Sequence, residues 1–218
     1  MALTFGTGPL ARGGDPHVID EPRRLRAVVG ERVVLDSVRG RLVFAPGAFM
    51  TPCVPREDVA DGVAVEDAQA VEGYVTLAQE GAQWFLEEER VFGHFRDPYH
   101  RVDVVESSRA ARVRAGATVL AATPRAKLLY ETSLPLRVYI PAADVAPGVL
   151  EASDKRTLCP YKGEANYWHV TVDGRRFADA AWSYETALPE SIGARHHLCF
   201  LADGIETELD DPAERFAM

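Results

Sequence analysis

Short runs of alternating apolar and polar residues, broken by Gly, Pro and Asp-Gly pairs, dominate the chain. Period-two alternation sends successive side chains to opposite faces of a strand, so the pattern predicts half-buried β structure. Residues 112–114 and 119–121 flank Ala115-Gly116-Ala117, which predicts a hairpin whose turn uses glycine's access to positive φ. Further strands are predicted at 127–131 and at 138–140, the latter stopped by Pro141, which cannot donate to a ladder. An apolar-rich strand at 167–172 turns at Asp173-Gly174 into 176–184, and a last pair at 197–202 and 205–209 turns at Asp203-Gly204. One helix is predicted over 79–90, where Ala82, Phe85 and Leu86 share a side opposite Glu87, Glu88 and Glu89. Short strands, frequent turn residues and one helix make the fold class mainly β.

The strand pattern occurs twice. Residues 24–63 and 110–149 align without a gap at an offset of 86, pairing Gly30 with Gly116, Arg39 with Arg125, Leu42 with Leu128, Pro55 with Pro141, Asp58 with Asp144 and Gly62 with Gly148. The copies differ afterwards, because the first has no room for an equivalent of 159–184. The expected organisation is a flexible segment 1–22, a truncated β repeat 23–92 carrying the helix, a polar linker 93–106, a complete β domain 107–210 and a tail 211–218. Two tandem small antiparallel domains result, and the complete one is expected to do the work.

Composition narrows the partners. The chain has 218 residues, 47% of them hydrophobic, and a net charge of −9 with both signs interspersed. That balance argues against a nucleic-acid backbone as partner, which needs clustered Lys and Arg. Cys53, Cys159 and Cys199 are widely spaced, so no disulfide framework or Cys-rich zinc site is indicated. The first residues lack a basic stretch followed by an apolar one, and no apolar run is long enough to span a bilayer. A cytoplasmic protein with no membrane partner is expected.

The second copy holds Ser153-Asp154, Thr157, Cys159-Pro160-Tyr161-Lys162-Gly163, Ala165, Tyr167-Trp168 and Asp179-Ala180-Ala181-Trp182-Ser183-Tyr184. This set resembles the hallmark of the bacterial and fungal family called domain of unknown function 427. Residues 91–103 also resemble the linker of its tandem members, and Glu185 stands where the family pattern usually has Pro. The resemblance covers roughly residues 24–210. It implies a compact antiparallel fold of β-tent type and no agreed chemistry. The nucleotidyltransferase label attached to the family has no counterpart in these residues, which lack a Gly-Ser turn followed by paired metal-binding aspartates.

Candidate chemistry centres on the Cys-Pro-Tyr-Lys-Gly turn. Pro160 and Gly163 would present Tyr161 and Lys162 from a fixed backbone, and the Lys162 ammonium could favour a Cys159 thiolate. The plain alternative is a buried, inert Cys159 with Lys162 in a surface ion pair. Trp168, Trp182 and Tyr184, with Tyr139 and Tyr167, would either line a pocket or fill a core. Tyr167 and Trp168 must face opposite ways, whereas Trp182 and Tyr184 share a face. Glu131 and Arg137 bracket Ser133-Leu134-Pro135, and Glu131 answers to Ala45 in the first copy. In the linker, Arg96 and Asp97 are candidate ligand contacts. His94 and His100 are weak candidates for proton transfer and, with Asp97, for a metal. His196-His197 reads as a solvated pair.

No cofactor is indicated. The leading expectation is a small polar metabolite held in an aromatic and Lys-lined pocket of the second domain near the linker. One alternative is an enzyme of unassigned reaction type using Cys159, Lys162 and the histidines. The other is an interaction module, with a homodimer through exposed sheet edges.

Overall fold

The structure, a computed structural model, describes residues 16–45, 48–68 and 70–211. The chain divides into two compact units, one ending at His100 and one beginning at Arg101.

The N-terminal unit contains β1 (His17–Glu21), β2 (Leu25–Val29), β3 (Arg32–Ser37), β4 (Gly40–Phe44), β5 (Thr51–Pro55), β6 (Val65–Asp67), β7 (Tyr74–Leu77), β8 (Gln83–Leu86) and β9 (Glu89–Arg90). They form a five-stranded sheet ordered β1-β4-β5-β7-β6 and a four-stranded sheet ordered β3-β2-β8-β9. Leu25, Ala27 and Leu35 from the smaller sheet pack on Leu42, Phe44 and Val54 from the larger one. Alternation puts Val43 and Cys53 on the opposite face, in a small separate cluster.

The C-terminal unit contains β10 (Val102–Glu106), β11 (Ala111–Ala115), β12 (Thr118–Thr123), β13 (Lys127–Glu131), β14 (Arg137–Pro141), β15 (Leu150–Cys159), β16 (Gly163–Val172), β17 (Arg175–Ser183), β18 (His197–Phe200) and β19 (Ile205–Leu209). A seven-stranded antiparallel sheet runs β10-β13-β14-β18-β17-β16-β15, and a three-stranded sheet runs β12-β11-β19. The smaller sheet covers one face of the larger through Val113, Leu120, Ile140, Val170 and Leu198. The other face carries Leu129, Tyr139, Tyr161, Tyr184 and Cys199, partly covered by a 3-10 turn at Pro189–Ala194 that packs on β10 and β13.

The two units carry the same pairings at an offset of 86 residues. His17 opposes Phe44 as Asp103 opposes Tyr130, and Leu25 opposes Ser37 as Ala111 opposes Thr123. Bulges fall at matching places, between Ala27 and Val28 and between Val113 and Arg114. Ser37 Oγ donates to Asp58 Oδ2 at 2.6 Å while Arg39 closes on the same carboxylate. In the other unit Thr123 Oγ1 donates to Asp144 Oδ2 at 2.6 Å and Arg125 closes on it. Among the described residues, the five-stranded sheet has two strands fewer than its seven-stranded counterpart.

Three expectations need correction. Residues 79–90 hold no helix: Gly81 (φ +75°) and Glu87 (φ +52°) bracket β8, which pairs with β2 through Ala27 and Trp84. Ala82, Phe85 and Leu86 imitate a helical face, but the working period is two, with Trp84 and Leu86 both packed on the core. The segment 1–22 is not wholly loose, since His17–Glu21 is β1 and pairs with β4 along its length; residues 1–15 lie outside the described residues. The linker 93–106 ends as strand β10, an edge of the seven-stranded sheet. Of the tail 211–218, only Asp211 is described. No helix among the described residues is long and apolar enough to cross a membrane.

Candidate functional site

One cross-strand row on the open face of the seven-stranded sheet organises the site. Glu106 opposes Lys127, Lys127 opposes Tyr139, Tyr139 opposes Cys199, Cys199 opposes Trp182 and Trp182 opposes Tyr167. Directly opposed residues project to the same face, so the pairing register alone gathers these side chains. Glu131, four residues after Lys127 on β13, shares their face.

The Cys-Pro-Tyr-Lys-Gly turn joins β15 to β16 and delivers Lys162 to Glu131. Lys162 Nζ donates to Glu131 Oε2, with the two residues only 8% and 5% exposed. The backbone of the turn is pinned, because Leu188 N–H (3.2 Å) and Ser191 Oγ (3.1 Å) both donate to the Lys162 carbonyl. Gly163 has φ +96°, and a Cβ there would lie 2.8 Å from the Thr186 carbonyl oxygen. Only glycine fits both the dihedral and the space.

Aromatic groups surround the pair. Trp182 Nε1 donates to the Tyr139 hydroxyl at 3.1 Å, above the strand that carries Cys199. Tyr161 and Tyr184 are buried in the same cluster, with Cys159, Tyr167 and Trp182 half-buried around it. Thr157 Oγ1 and the Tyr167 hydroxyl lie 3.0 Å apart, and Lys155 Nζ sits 4.5 Å from the Tyr167 ring centroid. Burial lifts the hydroxyls of Tyr139 and Tyr184 well above the ordinary tyrosine range. Burial also pushes the Cys199 thiol up to about 12. These groups are therefore neutral at physiological pH.

Of the residues singled out in the sequence, Glu131, Tyr161, Lys162, Trp182 and Tyr184 are brought together, with Cys159 beside them. Arg137 lies two residues before Tyr139 on β14, on the same face and half-buried. Trp168 does not join them: it projects to the opposite face and packs on the core beneath the smaller sheet, as the alternation from Tyr167 requires. His94, Arg96, Asp97 and His100 belong to the unit that ends at His100. There His94 stacks on Phe49 at 4.2 Å, and Asp97 Oδ1 accepts the Tyr99 N–H at 2.7 Å. Among the described residues no group of three or more His, Cys, Asp or Glu side chains is gathered to hold a metal ion.

Three residues could not be placed in the site from the sequence. Cys199 enters because β18 lies between β14 and β17, a long-range pairing that no local pattern announces. Ser153 and Asp179 enter through irregularities: register shifts interrupt β15 between Ala152 and Arg156 and β16 between Trp168 and Val170. Within this break Ser153 Oγ donates to Asp179 Oδ1 at 2.6 Å. Asp179, at φ +50°, donates its N–H to His169 Nδ1 at 3.1 Å. Such bulges re-aim strands, and this one precedes the stretch bearing Trp182.

Fold and site together define a mainly β, antiparallel protein whose C-terminal unit buries an ion pair among tyrosine, tryptophan and cysteine side chains. Residues 103–211 match the family model described as Domain of unknown function (DUF427). The chain belongs to that family. No curated protein matches it.

Proposed function

We propose that the C-terminal unit binds a small polar molecule at the Lys162–Glu131 pair, on the face of its seven-stranded sheet that carries the aromatic cluster. The observation that carries this reading is the burial of that pair within a ring of hydrogen-bonding aromatics. Removing two charges from water costs more than packing an apolar pair of the same volume, so a buried ion pair is a poor device for stability alone. Perturbed titratable groups also gather where sites are built, and Tyr139, Tyr184 and Cys199 surround this pair. Neutral tyrosine hydroxyls supply donors, and half-buried Tyr167, Trp182 and Cys159 form the accessible edge.

The matching registers at an offset of 86 residues support reading the two units as copies of one ancestral domain. On that reading the site belongs to one copy only, because Ala45 stands where Glu131 would be and the strands flanking Lys162 have no counterpart among the described residues.

The test separates a functional pair from a structural one. Lys162→Met alone leaves Glu131 charged and buried and is expected to lower stability by about 3–5 kcal/mol. Combining it with Glu131→Met should restore most of that loss. Thermal shifts are then recorded against a panel of polar metabolites. A compound that raises the melting temperature of the natural chain should lose its effect on the stable double variant and on Trp182→Ala. A rise that survives in both variants would place the ligand elsewhere and sink the proposal.

A further inference from the structure

Beside the aromatic cluster the C-terminal unit has a groove of about 820 Å³, lined by Glu106, Arg125, Lys127, His196 and His197 among others. Its floor is apolar, formed in part by Ala126 and Pro141. The whole chain carries a net charge of −9, yet this groove gathers two permanent cations and two imidazoles against one lining carboxylate.

The donors are oriented, and their present partners are replaceable. Lys127 Nζ is bonded to Glu106, whose side chain is 88% exposed. An ion pair with so exposed a partner is weak and yields readily to a ligand. Arg125 binds Asp144 through Nε (3.2 Å) and Nη2 (2.9 Å), and no hydrogen bond among the described residues uses Nη1. His196 adopts φ +61°, uncommon outside glycine. Its Nδ1 lies 2.8 Å from Glu185 Oε2, while Ser183 Oγ donates to the other Glu185 oxygen at 2.5 Å. His197 Nδ1 lies 2.8 Å from the Arg195 carbonyl oxygen. Both imidazoles therefore commit an Nδ1–H to an oxygen acceptor, so Nε2 of each neutral ring is an acceptor and the donors to an anion come from Lys127 and Arg125.

We infer that this groove binds a small dianion, a phosphate or dicarboxylate group, with Lys127 and Arg125 supplying the charge and the hydrogen-bond donors and with His196 and His197 among its lining residues. Phosphate and dicarboxylate share the chemistry of a compact double negative charge with several acceptor oxygens. Binding displaces the Glu106 carboxylate from Lys127 and leaves the Arg125–Asp144 bonds in place. The inference is independent of the Lys162 reading, since none of the residues it invokes touches that pair. The two places nevertheless share the Glu106-to-Tyr167 row, with Lys127 and Glu131 about 13 Å apart along β13.

The test is an amide NMR titration of the full chain with inorganic phosphate and, separately, succinate, at constant ionic strength. Saturable shifts confined to the amides of Ser107, Ser108, Ala126, Ala142 and His197 are expected, and the tighter of the two probes names the head group. Lys127→Met should weaken binding by about tenfold or more, the loss of one charge-assisted hydrogen bond. Glu106→Gln, which removes the competing carboxylate, should strengthen binding several-fold, and its exposed position makes misfolding no explanation for a change. Lys155→Met, an exposed lysine outside the groove, should leave the curve unaltered. Shifts that never saturate, or an affinity unmoved by both Lys127→Met and Glu106→Gln, overturn the inference. A loss in Lys155→Met equal to that in Lys127→Met does the same, since it marks general ionic attraction.

Discussion

At the scale of single residues, the same three-part device recurs where the end of one strand is held to a 3-10 turn two strands later. A hydroxyl and a guanidinium converge on one aspartate, as Ser37 and Arg39 on Asp58 and as Thr123 and Arg125 on Asp144. Arg125, then Thr123, hold the Asp144 carboxyl below the usual aspartate range. A carboxylate whose folded pKa is depressed adds stability above its unfolded value of about 3.9, and that stability is lost as pH falls through the folded pKa. Asp144→Asn is therefore expected to lower stability at pH 7 by about 1 kcal/mol or less, given that Arg125 is largely exposed and its attraction is screened. Urea unfolding at pH 7 and near pH 3 checks this: the gap between natural and variant chains should narrow as the pH falls. A gap of constant size would mean that the amide disturbs packing and not charge. Both partners, Arg39 with Arg125 and Asp58 with Asp144, stand out when the chain is aligned with itself. Their bonding to each other needed the fold, because it joins residues that are far apart along the strand order.

At the scale of elements, alternation located most strands of the C-terminal unit, missed β10 and the ten-residue β15, and misread the short β8 as a helix. The hairpin around Gly116, the strand at 127–131 and the turn at Asp173-Gly174 stand where the sequence put them. Four residues of β8 cannot show their period, and the acidic run Glu87-Glu88-Glu89 completes a false helical face. Gly81 discriminates between the two readings. In a helix interior Gly→Ala stabilises by about 1 kcal/mol, because glycine has the greater backbone entropy to lose. Here Gly81 has φ +75° with nothing within 4 Å of the place an added methyl group would take, so space is not limiting and the dihedral decides. Gly81→Ala is expected to destabilise by about 1–2 kcal/mol, read as a fall in the thermal midpoint. A rise would restore the helix. The bulge that brings Ser153 to Asp179 was likewise illegible, since a register shift leaves strand composition unchanged while altering which residues meet.

At the scale of the whole molecule, each unit carries its own core, which sets what a fragment should do. Val113, Leu120, Ile140, Val170 and Leu198 pack between the two sheets of the C-terminal unit, and Leu129, Tyr139, Tyr184 and Cys199 pack on its other face. All of these lie at or beyond Arg101, as does the stretch 103–211 that matches the family. A chain of this length can bury enough apolar surface to fold alone. The Lys162–Glu131 pair and the Glu106-to-Tyr167 row also lie wholly within it, so the fragment should retain both proposed sites as well as its fold. A fragment of residues 101–218 is expected to unfold in one cooperative transition. It should also keep the near-ultraviolet signal of Trp168 and Trp182, whose rings are fixed on opposite faces of the sheet. A fragment with strand content but no fixed aromatic signal would show that the residues up to His100 are needed to order the aromatic face.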